Sequence, residues 1–399
     1  MRGGAVGLEE ASLRLRETIR SELDFAEAYT DEALRSLVLR RVAEAGRERS
    51  WTSDERIWVA ERVMASFRGL DILEPLLADA DVTEIMVNGH EEIFYEKFGR
   101  LYRYPHRFES KERLEDIIQS IVSKVNRTVN EASPIVDARL PDGSRVNAVL
   151  PPVALKGPTL TIRKFPESPV TMERLIEWRA ITREAASYLQ DAVREKRNIF
   201  ISGGTGSGKT TMLNVLAQAI PDGERVITIE DSAELQLTSL SNVVSLETRT
   251  ANTEGKGEIS IRQLLRAALR MRPNRIVVGE VRGPEALDML QAMNTGHEGS
   301  LSTGHANTVK DMLARLETMA IGGSELPLAV IRQQIASAVH LIVHVSRMPD
   351  HSRKVTEVTA VEGLRDGGYV LRKVYAWEYD ESGGGRLRFF PEEQRGEGG

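Results

Sequence analysis

Eight consecutive residues, Gly203-Gly204-Thr205-Gly206-Ser207-Gly208-Lys209-Thr210, limit what this chain can fold into more than any other stretch. They fit the pattern G-x-x-x-x-G-K-[ST]. They follow the apolar run Asn198-Ile199-Phe200-Ile201-Ser202 and precede the helical Thr211-Met212-Leu213-Asn214-Val215-Leu216-Ala217. A strand that turns into a helix through glycines is the setting in which backbone N–H groups and a helix N-terminus converge on phosphate. In that reading Gly203, Gly204, Thr205, Gly206, Ser207, Gly208, Lys209, Thr210 and Thr211 hold the phosphate chain of ATP. Lys209 neutralises β- and γ-oxygens, and the Thr210 hydroxyl coordinates Mg²⁺.

The surroundings of the loop predict its sheet. Arg225-Val226-Ile227-Thr228-Ile229, Arg275-Ile276-Val277-Val278-Gly279 and His340-Leu341-Ile342-Val343 are further near-continuous apolar runs separated by helices. Strands of that kind belong to a sheet covered on both faces, so the fold class of residues 169–380 is α/β. Residues 70–168 mix periods. Strand-like Glu84–Asn88, Ile93–Tyr95, Arg145–Val149 and Leu160–Arg163 surround one helix with Leu114, Ile117, Ile118, Ile121, Val122 and Val125 on a single face, a small α+β domain. Prolines 151, 152, 158, 166 and 169 mark a hinge at its end. Residues 1–69 read as a helical segment, in which Thr52-Ser53-Asp54-Glu55 is a capping box. The Gly-rich, charged stretch 381–399 reads as a disordered tail.

A phosphate-binding loop acts with acids at the ends of neighbouring strands. Glu230-Asp231 follows Ile227-Thr228-Ile229, and Gly279-Glu280 follows Ile276-Val277-Val278. The usual Walker B pattern has aspartate where Gly279 stands, so Glu280 is expected to reach the metal through water. Glu230 is the candidate general base, and capping of a following helix is the structural alternative for either acid. The stretch from Thr295 to Asn307 reads as a polar loop after a strand. In it, Gly296-His297 and Gly304-His305 with Asn307 suggest a donor to the γ-phosphate. His340 and His344 are read as structural.

Composition narrows the classes. The 399 residues contain no cysteine, which removes disulfides, thiol nucleophiles and Cys-ligated zinc, and two histidines alone make no zinc site. A formal charge of −6 with 5% aromatic residues argues against a stable nucleic-acid coat. No apolar run is long enough to span a bilayer and the N-terminus lacks a signal-peptide pattern, so a cytoplasmic location is expected.

Four ordered boxes resemble the secretion ATPase superfamily of type II and IV secretion and pilus motors. They are the glycine-rich loop, Thr228-Ile229-Glu230-Asp231, Gly279-Glu280, and Thr295-Gly296-His297 with Thr303-Gly304-His305-Ala306-Asn307. Glu247-Thr248-Arg249, Glu254-Gly255-Lys256-Gly257-Glu258 and Leu269-Arg270-Met271-Arg272-Pro273 are similar to the CpaF/TadA group of tight-adherence (Flp-type) pili. The resemblance implies a RecA-like ATPase domain preceded by a PAS-like α+β domain. It also implies a homo-hexamer, ATP and Mg²⁺, and inner-membrane platform proteins as partners at the cytoplasmic membrane face. Residue by residue it implies Glu280 in Walker B, Glu230 in the acidic box, His305 sensing the γ-phosphate, and Arg145 or Arg163 reaching that phosphate. Arg270 and Arg272 are the alternative, directed at a neighbouring subunit's nucleotide. Extension ATPases that carry a tetracysteine zinc insert are excluded. A conjugation or type IV secretion motor is the rival reading; a nucleic-acid translocase and a non-hydrolysing scaffold are weaker ones.

Overall fold

The computed structural model describes residues 2–23, 29–125, 127–165, 169–249, 251, 256–379 and 385–391, with side chains from Gly7 onward. The backbone divides into two compact units, Met1–Glu167 and Ser168–Gly399.

The first unit begins with α1 (Arg2–Glu22), α2 (Asp31–Glu48) and α3 (Ser53–Arg68). Thr30 and Thr52 cap α2 and α3, and Thr52 with Glu55 forms the reciprocal capping box that the sequence predicts. A short α4 (Glu74–Ala78) leads to β1 (Val82–Asn88), β2 (Ile93–Lys97) and β3 (Arg100–Arg103). Then come α5 (Lys111–Ser123), β4 (Ile135–Arg139), β5 (Arg145–Val149) and β6 (Thr159–Arg163). The six strands order as β3-β2-β1-β6-β5-β4, and every pairing is antiparallel. The apolar stripe of α5 is buried with Ile85, Val146, Leu160 and Ile162 from one face of the sheet. Asp71 fixes the helices to this core: it is 1% exposed and carries a positive φ of 60°, and it pairs with Arg62 of α3 and, at 2.7–2.8 Å, with Arg113 of α5. Of the segment 150–168, where the sequence places a hinge, residues 159–163 are β6, hydrogen-bonded on both sides. Residues 166–168 lie outside the described residues.

The second unit opens with α6 (Met172–Glu177), α7 (Arg183–Arg194), β7 (Ile199–Gly203), α8 (Lys209–Ala217), β8 (Val226–Glu230) and β9 (Val243–Glu247). It continues with α9 (Ile261–Ala268), β10 (Arg275–Val278), α10 (Glu285–Asn294), β11 (Leu301–His305), α11 (Val309–Ile321) and α12 (Leu328–Ala338). It ends with β12 (Leu341–Arg347), β13 (Arg353–Arg365), β14 (Gly368–Tyr379) and β15 (Gly385–Phe389). The sheet order is β15-β14-β13-β12-β7-β11-β10-β8-β9, parallel from β12 to β9 and antiparallel from β12 to β15. Burial on both faces explains the unbroken apolar strands. Ile199 and Ile201 enter the core under α7 and α8, and Phe200, between them, enters the one under α9 to α12.

Two expectations are corrected. Residues 301–305, read as part of a polar loop, are the buried strand β11. Their hydroxyls hide the strand signal, but Thr303 Oγ1 donates to Gly279 O at 2.7 Å, which satisfies a polar group that burial would otherwise penalise. Residues 385–389, read as disordered tail, pair with β14 as an edge strand; residues 381–384 and 392–399 lie outside the described residues. Among the described residues no helix is long and apolar enough to cross a membrane.

Candidate active site

The parallel strands align their C-terminal ends, and the candidate residues sit there. β7 delivers the glycine loop. Gly203 admits no side chain, since a Cβ would stand 2.3 Å from Val345 O and 2.5 Å from Ser207 Oγ. Gly208, at φ 96°, takes the left-handed turn that starts α8. The crown of the loop is open: a Cβ on Gly204 or Gly206 would meet nothing within 4 Å, and Gly204, Thr205 and Gly206 are exposed. Lys209, Thr210 and Thr211 form the first turn of α8, whose N–H groups have no partner within the helix.

Lys209 is 7% exposed, and its ammonium donates to Gly204 O at 2.9 Å. Its Nζ also lies 3.2 Å from His305 Nδ1. Among the described residues no carboxylate pairs with it, and burial pulls its pKa below the usual lysine value. An ammonium only donates, so Nδ1 of His305 accepts and the ring proton sits on Nε2, which faces Glu280 Oε1 at 3.0 Å. Burial, reinforced by Lys209, lowers the His305 pKa below 6.5 although Glu280 opposes the shift. The imidazole is therefore neutral at neutral pH.

Glu280 follows β10. Its Oε2 accepts from Arg282 at 2.8 Å, and the same guanidinium reaches Asp231 Oδ2 at 3.1 Å. Its Oε1 is buried and, despite the nearby imidazole, has no hydrogen-bond donor in line with it. That orphan acceptor suits an ordered or metal-bound water. Together with the Thr210 hydroxyl it fits Mg²⁺ in the usual manner of a nucleotide site, held by few protein oxygens and by substrate. Among the described residues no group of three His, Asp or Glu side chains could hold a metal on its own.

Glu230 is placed differently from a solvent-facing base. It is 3% exposed, and its carboxylate accepts from the backbone N–H groups of Glu234 at 2.9 Å and Leu235 at 3.2 and 3.3 Å. The geometry gives it the part of anchoring the loop after β8. It also accounts for Gly279 in the Walker B strand, because a Cβ there would stand 3.0 Å from Glu230 Cγ.

The remaining candidates make other contacts or belong to other elements. His297 is near Pro273 O at 3.2 Å, before β11, while His305 ends that strand. Arg270 and Arg272 are exposed after α9. His340 Nδ1 accepts from Asn198 N–H at 2.9 Å, and His344 lies 2.8 Å from Ser202 Oγ and bonds the Asn307 backbone, both within the fold. Arg145 and Arg163 belong to the first unit, opposite each other on β5 and β6 in one row with Arg139 and Glu84. Sequence reading missed Arg282; its only signal was a lone arginine two residues after Glu280.

Residues 67–373 match the family described as type II/IV secretion system protein, and the chain belongs to that family. A putative conjugal transfer protein of Mycobacterium tuberculosis is 37% identical over 319 residues, covering 78% of this chain and 89% of its own length. The conjugal transfer protein TrbB of Rhizobium radiobacter is 35% identical over 298 residues, covering 73% and 88%. The Legionella pneumophila ATPase DotB shares the fold, with a TM-score of 0.52 and 23% identity over 70% of this chain and 76% of its own.

Proposed function

We propose that this chain is an ATP hydrolase that drives a type II/IV secretion-type machine as a homo-hexameric ring at the cytoplasmic face of a membrane. The observation that carries the reading is the contact series Lys209–His305–Glu280–Arg282–Asp231, assembled at the strand ends beside an open glycine loop. The loop and first turn of α8 receive the phosphates, and Lys209 exchanges its imidazole contact for β- and γ-oxygens. Thr210 and, through water, Glu280 would hold Mg²⁺, which would supply charge neutralisation on the phosphates. Glu280 orients the attacking water through its orphan oxygen. His305 senses the γ-phosphate by losing a contact: Nδ1 no longer accepts from Lys209 once the ammonium turns to phosphate, while the Nε2 donor stays on the Glu280 side. Glu230 keeps the loop after β8 in place.

In the same reading the second unit is RecA-like and the first PAS-like, with Arg145 or Arg163 supplying positive charge to the γ-phosphate. The boxes resemble the tight-adherence pilus group, and the similarity to conjugal transfer proteins favours a conjugation or type IV secretion motor as the second reading. Turnover of the purified chain with and without the cytoplasmic part of an inner-membrane platform protein, or single-stranded DNA, tests this. The proposal expects Mg-dependent hydrolysis stimulated by the platform protein and little affected by DNA. Strong stimulation by DNA alone contradicts it.

A further inference from the structure

Two arginines beyond the contact series stand beside the glycine loop. β12 extends past β7, with Val345 level with Gly203, and its last residue, Arg347, pairs directly with Arg353, the first residue of β13. Residues in register on adjacent antiparallel strands share a face, and like charges placed so cost stability. Both side chains are exposed, and among the described residues neither guanidinium has a carboxylate within ion-pair distance. Asp350, the acid in the turn between them, is held by the Ser352 N–H and hydroxyl at 2.9 and 2.6 Å.

Arg353 points the pair at a ligand. Its Nε donates to Gly206 O at 3.0 Å, and its Cδ lies 3.4 Å from where a Cβ on Gly208 would be. The guanidinium thus borders the exposed crown of the loop, on the face of the sheet that carries Val345, Val355 and α8. One N–H is used on the loop and, among the described residues, the remaining fork donors have no protein acceptor, the geometry suited to planar recognition of phosphate oxygens.

We infer that Arg353, with Arg347 behind it, is a nucleotide-binding residue supplied in cis, contacting the phosphate chain from the side of the loop opposite the Lys209–His305 series. The inference rests on the reading of the loop as an ATP site. An acidic segment of another subunit is the rival occupant of the same charges.

Binding of the fluorescent mant-ADP to the full-length chain tests it, with Lys209→Ala as reference and circular dichroism as the check on folding. Arg353→Ala is expected to weaken binding about tenfold, Arg347→Ala about threefold and Arg353→Lys less than Arg353→Ala, a graded loss typical of charge-assisted contacts. In turnover, Arg353→Ala is expected to raise KM with little change in kcat, the mark of a contact made equally in ground and transition states. Binding by both alanine variants within twofold of the unaltered chain, while Lys209→Ala loses it, overturns the inference and leaves the site reading intact. The same holds if those variants bind normally but sediment as smaller assemblies. Failure of the unaltered chain to bind mant-ADP overturns the site reading and this inference together.

Discussion

Lys209 Nζ and His305 Nδ1 stand 3.2 Å apart, a cation and a neutral imidazole joined across the ends of β7 and β11. The strand register that pairs His305 with Gly203 creates this contact. The ammonium is buried against a carbonyl and a ring nitrogen, and an entering phosphate offers it a charged partner that neither supplies.

The two acids are separable. Glu280→Gln is expected to lower kcat by at least about a hundredfold while mant-ADP binding stays within about threefold, because the change removes the water-orienting charge and keeps the shape. Glu230→Gln is expected to lower the melting temperature by weakening the N–H contacts of Glu234 and Leu235, with a smaller effect on kcat. A larger kcat loss for Glu230→Gln at unchanged melting temperature returns the base to Glu230.

Arg282→Ala leaves Glu280 Oε2 without its 2.8 Å partner and cuts the link to Asp231. Turnover is expected to fall about tenfold and Arg282→Lys to recover part of it, since lysine restores charge without the fork. Steady-state kinetics of both variants check this, and equal turnover of Arg282→Ala and the unaltered chain contradicts it.

Acid stability follows from the histidines. Burial lowers the pKa of His305, His340 and His344 below 6.5. Below pH 6.5 the unfolded chain binds protons that the folded chain resists, so the folded state loses stability from about pH 6.5 downward, until the lowered folded values are passed. Denaturant midpoints at pH 7.5 and 5.5 measure it. His344→Gln is expected to reduce the difference between them, and an unchanged difference contradicts the assignment.

Arg275 is fully buried. It makes two 2.8 Å contacts to Glu224 and donates to the Val193 and Gly299 carbonyls. Arg275→Met strands these acceptors and is expected to cost about 3–5 kcal/mol in urea unfolding, as breaking a buried pair does. The arginine holds the Glu224 carboxyl below its usual 4.5, so the contribution of that pair is complete above pH 4.5 and is lost as pH falls through the lowered value.

Apolar runs and glycines were legible in the sequence; satisfied polar groups were not. Ile199–Ile201 and the stripe on α5 declare their elements through burial alone. Leu301–Gly304 is as buried as its neighbours, yet reads polar because the Gly279 carbonyl that satisfies Thr303 lies 24 residues away in sequence. Glu230 and Glu280 look alike as acids at strand ends, and their partners tell them apart: the backbone of residues 234–235 for one, Arg282 for the other. The Arg347 and Arg353 pairing is invisible locally, since it depends on the register of a turn.

The central claim is most directly tested by ATP hydrolysis and mant-ADP binding of the unaltered chain beside Lys209→Ala. The account predicts Mg-dependent turnover and binding in the first, and loss of both by at least about a hundredfold in the second with the fold retained. Near-normal turnover by Lys209→Ala would contradict it.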